Sequence, residues 1–466
     1  MENDKVVLDD HMSNETIASR LAFFAANLKY DDLPREVVIQ AKRCLLDTIG
    51  VGLAGFGTTI GETFISLAKE WSGVEEATIF GDGVRVPSTN AALVNGTMSH
   101  IHELDDGHRF ALGHPGTTSI PPAIAMAEKT SADGKDLITA TVLGYDVFVR
   151  IATAMNPSHR ARGFHTTGTC GTFGAAAAAG KVLGLDSREM VNVFGIAGVQ
   201  AAGLMEVFRG NSMIKPLNAG RAAYNGTLSA LLAARGITAP DTIIEGDNGF
   251  LNAYSDQTDQ SKILNGLNEN FHIMGIYVKL HAACRHAHPA IDCVLQLKRE
   301  YALSPEQVDR ILVKTYSAAY KLTGTEYEPK TESTAKFSIP YCLAVALTYN
   351  KVGPSEFTID KIRDANLIRF GKRVEVRIDP GLDKLAPNKR GASVELFTKD
   401  GQKYEWSVEN PKGEPETPVS DTELRSKFKI LVDPILGENK SNKIIDVLTE
   451  LENVNDLRNV TRLLYR

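Results

Sequence analysis

The chain has 466 residues, with 51 Lys+Arg against 57 Asp+Glu and a formal net charge of −6. At 43% hydrophobic and 23% charged it reads as globular, and its acidic balance excludes general nucleic-acid binding, which needs a basic surface to displace counterions. No apolar run of about 20 residues suggests a membrane span, and the opening Met1-Glu2-Asn3-Asp4-Lys5 is too polar and acidic for a signal or transit peptide.

From about residue 13 to 270 the pattern is helical. Pro34 stands where a first helical residue would be, and apolar Val37, Val38, Ala41, Leu45, Ile49 and Leu53 follow at spacings of three and four. The spacing predicts a further helix over 90–106, ended by Gly107 in a left-handed conformation, with Pro121-Pro122 opening the next. Asp186-Ser187-Arg188-Glu189 reads as a helix start with a capping box. Small residues recur inside these helices, as in Ala175 to Ala179 and Ala201-Ala202-Gly203, which lets helices pack at close range.

Between roughly 275 and 410 the period shifts toward two. Val308–Tyr316, Arg373–Ile378, Val394–Phe397 and Tyr404–Val408 read as strands, the last preceded by an Asp400-Gly401 turn. Helices near 286–302 and 334–349 accompany them. Pro411 to Pro418 reads as a linker, and Ser420-Asp421-Thr422-Glu423 opens a return to helix. The expected architecture is mainly α. A large all-helical domain is formed by both chain ends (residues 1–272 and 413–466), and a smaller α+β module (273–412) is inserted between them.

Four clusters could carry chemistry. The first is His100, His102, Glu103, Asp105, Asp106, His108 and His114, either an exposed polar helix end or a cleft in which carboxylates hold imidazoles in a working tautomer. The second, Phe164-His165-Thr166-Thr167-Gly168-Thr169 running on to Gly174, suits an anion before a helix, and close helix packing explains its glycines equally well. It is not a nucleotide-binding loop: Gly174 to Gly180 holds five intervening residues where that motif has four, and Val182 replaces the Ser or Thr. The third is Lys215 among small apolar residues, a snorkelling surface lysine or an anion clamp.

The fourth cluster runs from Lys279 to Cys293 with His281, Cys284, Arg285, His286 and His288. Its histidines and thiols raise the alternative of a zinc-stabilised or scaffolding protein without enzymatic activity. No CxxC pair accompanies them, so no metal ligands are assigned. Lys279 and Arg285 fit a carboxylate-binding rim better. The five cysteines (44, 170, 284, 293, 342) are sparse and odd in number, which points to reduced thiols and a cytoplasmic protein. GxSxG, HExxH and GxGxxG are absent.

Taken in order, these segments resemble the MmgE/PrpD family, which includes 2-methylcitrate dehydratases, cis-aconitate decarboxylases and iminodisuccinate epimerases. The matching stretches are Leu46-Asp47-Thr48-Ile49-Gly50, His102-Glu103-Leu104-Asp105-Asp106 with His114-Pro115, and Phe164 to Gly174. Gln200 to Leu204, Lys215 to Ala223, Cys284 to Asp292 and Ala335-Lys336-Phe337-Ser338 complete the set.

The resemblance implies an α+β lid over a helical domain, a cofactor-free site between them, a homodimer, and a small di- or tricarboxylate substrate. It places active-site positions on Asp106, His114, His165, Lys215 and His288, with Asp105, His108 and a lid tyrosine, Tyr327, as further candidates. Within that frame Lys215 would be the electrostatic anchor, His114 and His288 the acid/base pair, and Asp106 the group that orients an imidazole. Thr166, Thr169, Lys279 and Arg285 would hold carboxylates. A dehydratase or decarboxylase is expected, with an epimerase as the alternative.

Overall fold

The computed structural model describes residues 15–209 and 212–466, and it is mainly helical. The principal helices of the first part are α1 (Ile17–Asn27), α2 (Arg35–Ala54), α3 (Ser88–Met98), α4 (Pro115–Thr130), α5 (Gly134–Met155), α6 (Thr166–Val182), α7 (Ser187–Gln200) and α8 (Leu217–Ala233). α6 is the axis of the bundle: every residue from Thr166 to Gly180 is buried, with α4, α5 and α8 packed around it. Two close approaches explain its small residues. A Cβ on Gly226 of α8 would stand 2.4 Å from the Ala175 methyl, and one on Gly174 would stand 2.7 Å from the Gly144 carbonyl oxygen of α5.

Several local expectations are met by the backbone. α2 starts directly after Pro34, and α7 starts at Ser187 with Asp186 and Glu189 closing a capping box. Others are corrected. The helix expected over 90–106 stops at Met98, where the Ser99 hydroxyl turns back onto the Asn95 carbonyl at 2.7 Å. Glu103 at φ +53° then makes continuation impossible. Gly107 is not left-handed. It pairs as a short strand with Tyr277, whose hydroxyl would lie 2.3 Å from any Cβ there.

Pro121 and Pro122 sit inside α4, which begins earlier, at Pro115. α5 is also long and apolar enough to span a bilayer, contrary to the composition-based reading. Yet 94% of its apolar window is buried, and it carries a buried Asp146–Arg150 ion pair.

The later segment builds a four-stranded sheet from β1 (Val308–Thr315), β2 (Val374–Ile378), β3 (Ala392–Thr398) and β4 (Lys403–Val408), in the order β2-β1-β3-β4. β1 and β2 are parallel, and the other pairings are antiparallel. Ala392, Val394, Leu396 and Thr398 of β3 face inward, whereas the edge strand β4 alternates charge and partial exposure through Lys403 and Glu405, which blunts the edge. Helices α9 (His288–Tyr301) and α10 (Ile339–Tyr349) cover the sheet.

The stretch from Pro411 to Pro418, expected to be a linker, is packed instead. Glu414 is fully buried against Arg285, and the Lys412 amide donates to Asp292. Helices α11 (Asp421–Leu436) and α12 (Glu438–Thr449) then return to α2, where Phe428 packs on Gly50 and Lys427 pairs with Asp47 at 2.5 Å.

Candidate active site

Three helix N-termini converge on one cavity. His114 caps α4, His165 caps α6, and Lys215 stands two residues before α8. Such ends carry unsatisfied N–H groups and the positive pole of the helix dipole, so the field where they meet favours anions. The cavity is about 60 Å³. Its wall includes Glu103, His108, His114, Arg160, His165 and Lys215, and beyond them Lys279, Arg285, His286 and Arg390.

The loop from Ser99 to His114 carries the first cluster. Asp105, fully buried, lies with one oxygen 2.8 Å from His100 Nδ1 and 3.1 Å from His114 Nδ1. His114 Nδ1 also approaches the Asp106 carbonyl at 2.5 Å. With Nδ1–H donating to the Asp106 carbonyl beside the Asp105 carboxylate, the Nε2 of His114 is the ring atom left for the cavity. Burial pushes the His114 imidazole down to about 4 despite the carboxylate beside it. It is therefore neutral near pH 7 and acts as a proton acceptor until an anion enters. Burial opposes ionisation of Asp105, but the two imidazoles and Lys279 hold its carboxyl well below the usual range. His165 is likewise kept neutral by burial and by Lys215. The Asn218 amide donates to its Nδ1 at 3.0 Å, which leaves Nε2–H as a donor.

Lys215 is buried and paired with Glu103, and its ammonium lies 5.5 Å and 5.9 Å from the centroids of the Phe208 and Phe337 rings. Lys279 donates to the Glu103 carbonyl at 3.0 Å and lies 3.7 Å from its carboxylate. Burial alone would raise Glu103, but the two ammonium groups hold its carboxyl far below the ordinary value. Glu103 and Leu112, both on the cavity wall, have φ of +53°, a strained backbone that the surrounding packing must enforce.

Of the residues singled out from sequence, the structure brings His108, His114, His165, Lys215, Lys279 and Arg285 to this wall, with Asp105 directly behind it. It does not bring the rest. His288 is buried with both nitrogens engaged: Nδ1 accepts from Arg285 at 3.1 Å and Nε2 faces the Ala283 carbonyl at 3.2 Å. It supports a guanidinium rather than facing the cavity.

The Asp106 carboxyl points into the helical core, accepting from the Tyr145 hydroxyl at 2.5 Å and the Gly116 amide at 3.1 Å. Orientation of His114 falls to Asp105 and to the Asp106 backbone instead. Thr166 and Thr169 are buried within the first turn of α6, where Thr169 meets His159 at 2.7 Å. Tyr327 lines a separate surface depression with Arg310 and Lys372. Arg160, His286, Arg390, Phe208 and Phe337 complete the wall without a site role expected from the sequence, although His286 and Phe337 lie in stretches that match the family.

The metal alternative also changes place. His281 pairs with Asp292 at 2.9 Å, His286 with the Tyr316 hydroxyl at 2.5 Å, and Cys293 with the Ala392 carbonyl at 3.6 Å, so the 281–293 cluster points in several directions. Among the described residues the donor group close enough to share an ion is His100, Asp105 and His114. Its contacts are those of hydrogen bonds and an ion pair: His100 Nδ1 bonds the Asp105 carboxylate, while His114 Nδ1 bonds the Asp106 carbonyl with the same carboxylate oxygen 3.1 Å away.

The MmgE/PrpD N-terminal domain model matches residues 19–262, and the MmgE/PrpD C-terminal domain model matches residues 281–453. The chain belongs to the MmgE/PrpD family. Relatives within reach of this family member include the cis-aconitate decarboxylase of Aspergillus terreus, 26% identical over 98% of this chain and 97% of the relative. The cis-aconitate decarboxylase of Mus musculus is 26% identical over 97% and 94%, and the cis-aconitate decarboxylase-like protein oryM of Aspergillus oryzae is 27% identical over 98% and 99%. In this MmgE/PrpD chain the N-terminal match supplies His114, His165 and Lys215, and the C-terminal match supplies Arg285, His286 and Arg390.

Proposed function

We propose that the protein is a lyase that acts on a small polycarboxylate by acid/base chemistry, with decarboxylation of a cis-aconitate-like substrate as the leading reaction. The observation that carries this reading is the cation-rich cavity holding His114 on an Asp105 carboxylate, supported by the full-length likeness to cis-aconitate decarboxylases. Residues 273–412 are read as a lid over the helical part, since Lys279, Arg285, His286 and Arg390 reach the same cavity as His114 and Lys215.

The mechanism follows from where charge develops. Losing carbon dioxide, or a proton beside a carboxylate, leaves an electron pair conjugated to carboxylate oxygens, and fixed cations stabilise that charge without reorganising. Lys215 and Lys279 are such groups, held in place by Glu103. A proton must then be delivered or removed at carbon. His114, with Nδ1 fixed by Asp105 and Nε2 left for the cavity, is the residue in position for it, and proton transfer of this kind contributes about 10²–10⁴-fold. An arriving polyanion raises the imidazole's proton affinity, so the group can be a base in the empty site and an acid once substrate is bound. His165 donates from Nε2 to a substrate oxygen.

The test is a turnover assay of purified protein with cis-aconitate, 2-methylcitrate and iminodisuccinate, monitored by NMR and by carbon dioxide release. Carbon dioxide from cis-aconitate supports the reading. Solvent exchange of iminodisuccinate without net product would favour an epimerase, and inertness toward all three would remove the substrate class.

A further inference from the structure

The cavity's cations are unevenly matched with acids. Lys215 and Lys279 share Glu103. Arg285 has four of its five N–H donors engaged: Nε donates to Glu414 at 3.1 Å, Nη1 to His288 and the Lys412 carbonyl, and Nη2 to the Pro411 carbonyl. Arg109, behind the wall, faces Glu414 and Glu416. Arg160 and Arg390 have no acidic partner among the described residues. Arg390 is 5% exposed and donates one N–H to the Arg109 carbonyl at 2.6 Å, while Arg160 has only a 3.5 Å approach to the Leu112 carbonyl.

The two guanidinium groups line the same cavity, and Arg390 adds to burial in depressing Arg160. Nearby imidazoles do not offset them. His108 is held down to about 3 and His286 well below its ordinary value, by burial first and by Arg390 and other cationic neighbours. His286 Nδ1 is hydrogen-bonded to the Tyr316 hydroxyl at 2.5 Å. Two like charges on one cavity wall, Arg390 buried and Arg160 half-buried, with most of their N–H donors unused, are unfavourable until an anion arrives, and guanidinium forks match a carboxylate best.

We propose that Arg160 and Arg390 form a second carboxylate subsite, separate from the Lys215–Lys279 side, which makes the protein select tricarboxylates over dicarboxylates. This rests on the polycarboxylate reading above and adds which residues hold the non-reacting carboxylate.

The experiment measures binding of propane-1,2,3-tricarboxylate and of glutarate, which lacks the middle carboxylate, to wild type, Arg160→Gln, Arg390→Gln and the double variant by calorimetry. Wild type is expected to bind the tricarboxylate about 10–100-fold more tightly, and the double variant to lose that preference while its glutarate affinity stays within about threefold. Should Arg390→Gln fail to fold, Arg160→Gln at the more accessible position and Arg390→Lys carry the same comparison, each shrinking the preference by about tenfold. An undiminished preference in the variants, or equal losses for both ligands, overturns the subsite and leaves the polycarboxylate reading standing. A wild type that binds neither ligand overturns both.

Discussion

His114 Nδ1 stands 3.1 Å from an oxygen of Asp105, and that oxygen also holds His100 Nδ1 at 2.8 Å. One buried carboxylate thus stands beside two imidazoles, and His114, whose Nδ1–H is held by the Asp106 carbonyl, is left with a single reactive nitrogen. Asp105→Asn keeps the shape but removes the charge that supports a protonated His114. It is expected to lower kcat by about 10²–10⁴-fold with little change in melting temperature, as steady-state kinetics beside a thermal melt will show.

The pH dependence of kcat/KM reports the free enzyme. His114 is depressed to about 4 by burial, so its base form persists through the ordinary imidazole range. Where His114 takes a proton from carbon, the acid limb of kcat/KM should fall near pH 4 rather than 6.5; where it gives one after decarboxylation, kcat/KM should instead decline as pH rises above about 4. A midpoint at 6.5 would show an exposed imidazole in control.

Lys215→Ala removes the ammonium closest to the Glu103 carboxylate and leaves Lys279 as the remaining lysine there. The expected loss is about 10²–10³-fold in kcat/KM, by analogy with removing one preorganised donor from a charge-stabilising site. Relieved of Lys215, the Glu103 carboxyl rises toward its ordinary pKa, which carbon-13 NMR of labelled glutamate detects.

His288 separates two accounts of the site. Both its nitrogens are engaged, one with Arg285 and one with the Ala283 carbonyl. His288→Asn should raise KM by less than about tenfold, leaving the pH profile of kcat unchanged, because the effect runs through the guanidinium. A collapse of kcat comparable to that of His114→Asn would instead make His288 a proton carrier.

Asp106 provides a stability test. Burial, with Asp47 and Asp105 nearby, pushes its carboxyl to about 7, against 3.8 for an ordinary aspartate. In the window between those values the folded state holds a proton that the unfolded state has lost, so stability is full below 3.8 and declines as pH rises to about 7, by up to about 1.4 kcal/mol per pH unit. Asp106→Asn mimics the neutral acid toward Tyr145 and should flatten that part of the curve in denaturant titrations at pH 5 and pH 7.

Much of this arrangement is legible in the sequence because it depends on short-range patterns. The helix starts at Ser187 and Asp421 follow from capping boxes, and the strands at 308–315 and 392–398 from their alternation. His114 and His165 are found because each stands just ahead of a helix in a polar motif, and Lys215, among small apolar residues, because the family resemblance marks it. What escapes is side-chain direction over long separations. Glu103 reverses the backbone at φ +53°, and the structure sets Asp105 beside His114 where the resemblance implied Asp106. Arg390 enters from a loop ahead of β3 with no motif around it, and only the folded chain shows that it lines the same cavity as Arg160. His288 sits in the most histidine-rich stretch, yet the chain turns its ring onto Arg285.

The most direct test of the central claim, that His114 moves a proton at a carbon beside a carboxylate within this cation-lined cavity, is deuterium placement. Wild type and His114→Gln are incubated with cis-aconitate in heavy water and the product is read by proton and deuterium NMR. The account predicts one solvent deuteron at a single carbon of the wild-type product and loss of both product and label, by at least about 10²-fold, in the variant. Equal turnover and labelling by His114→Gln would contradict it.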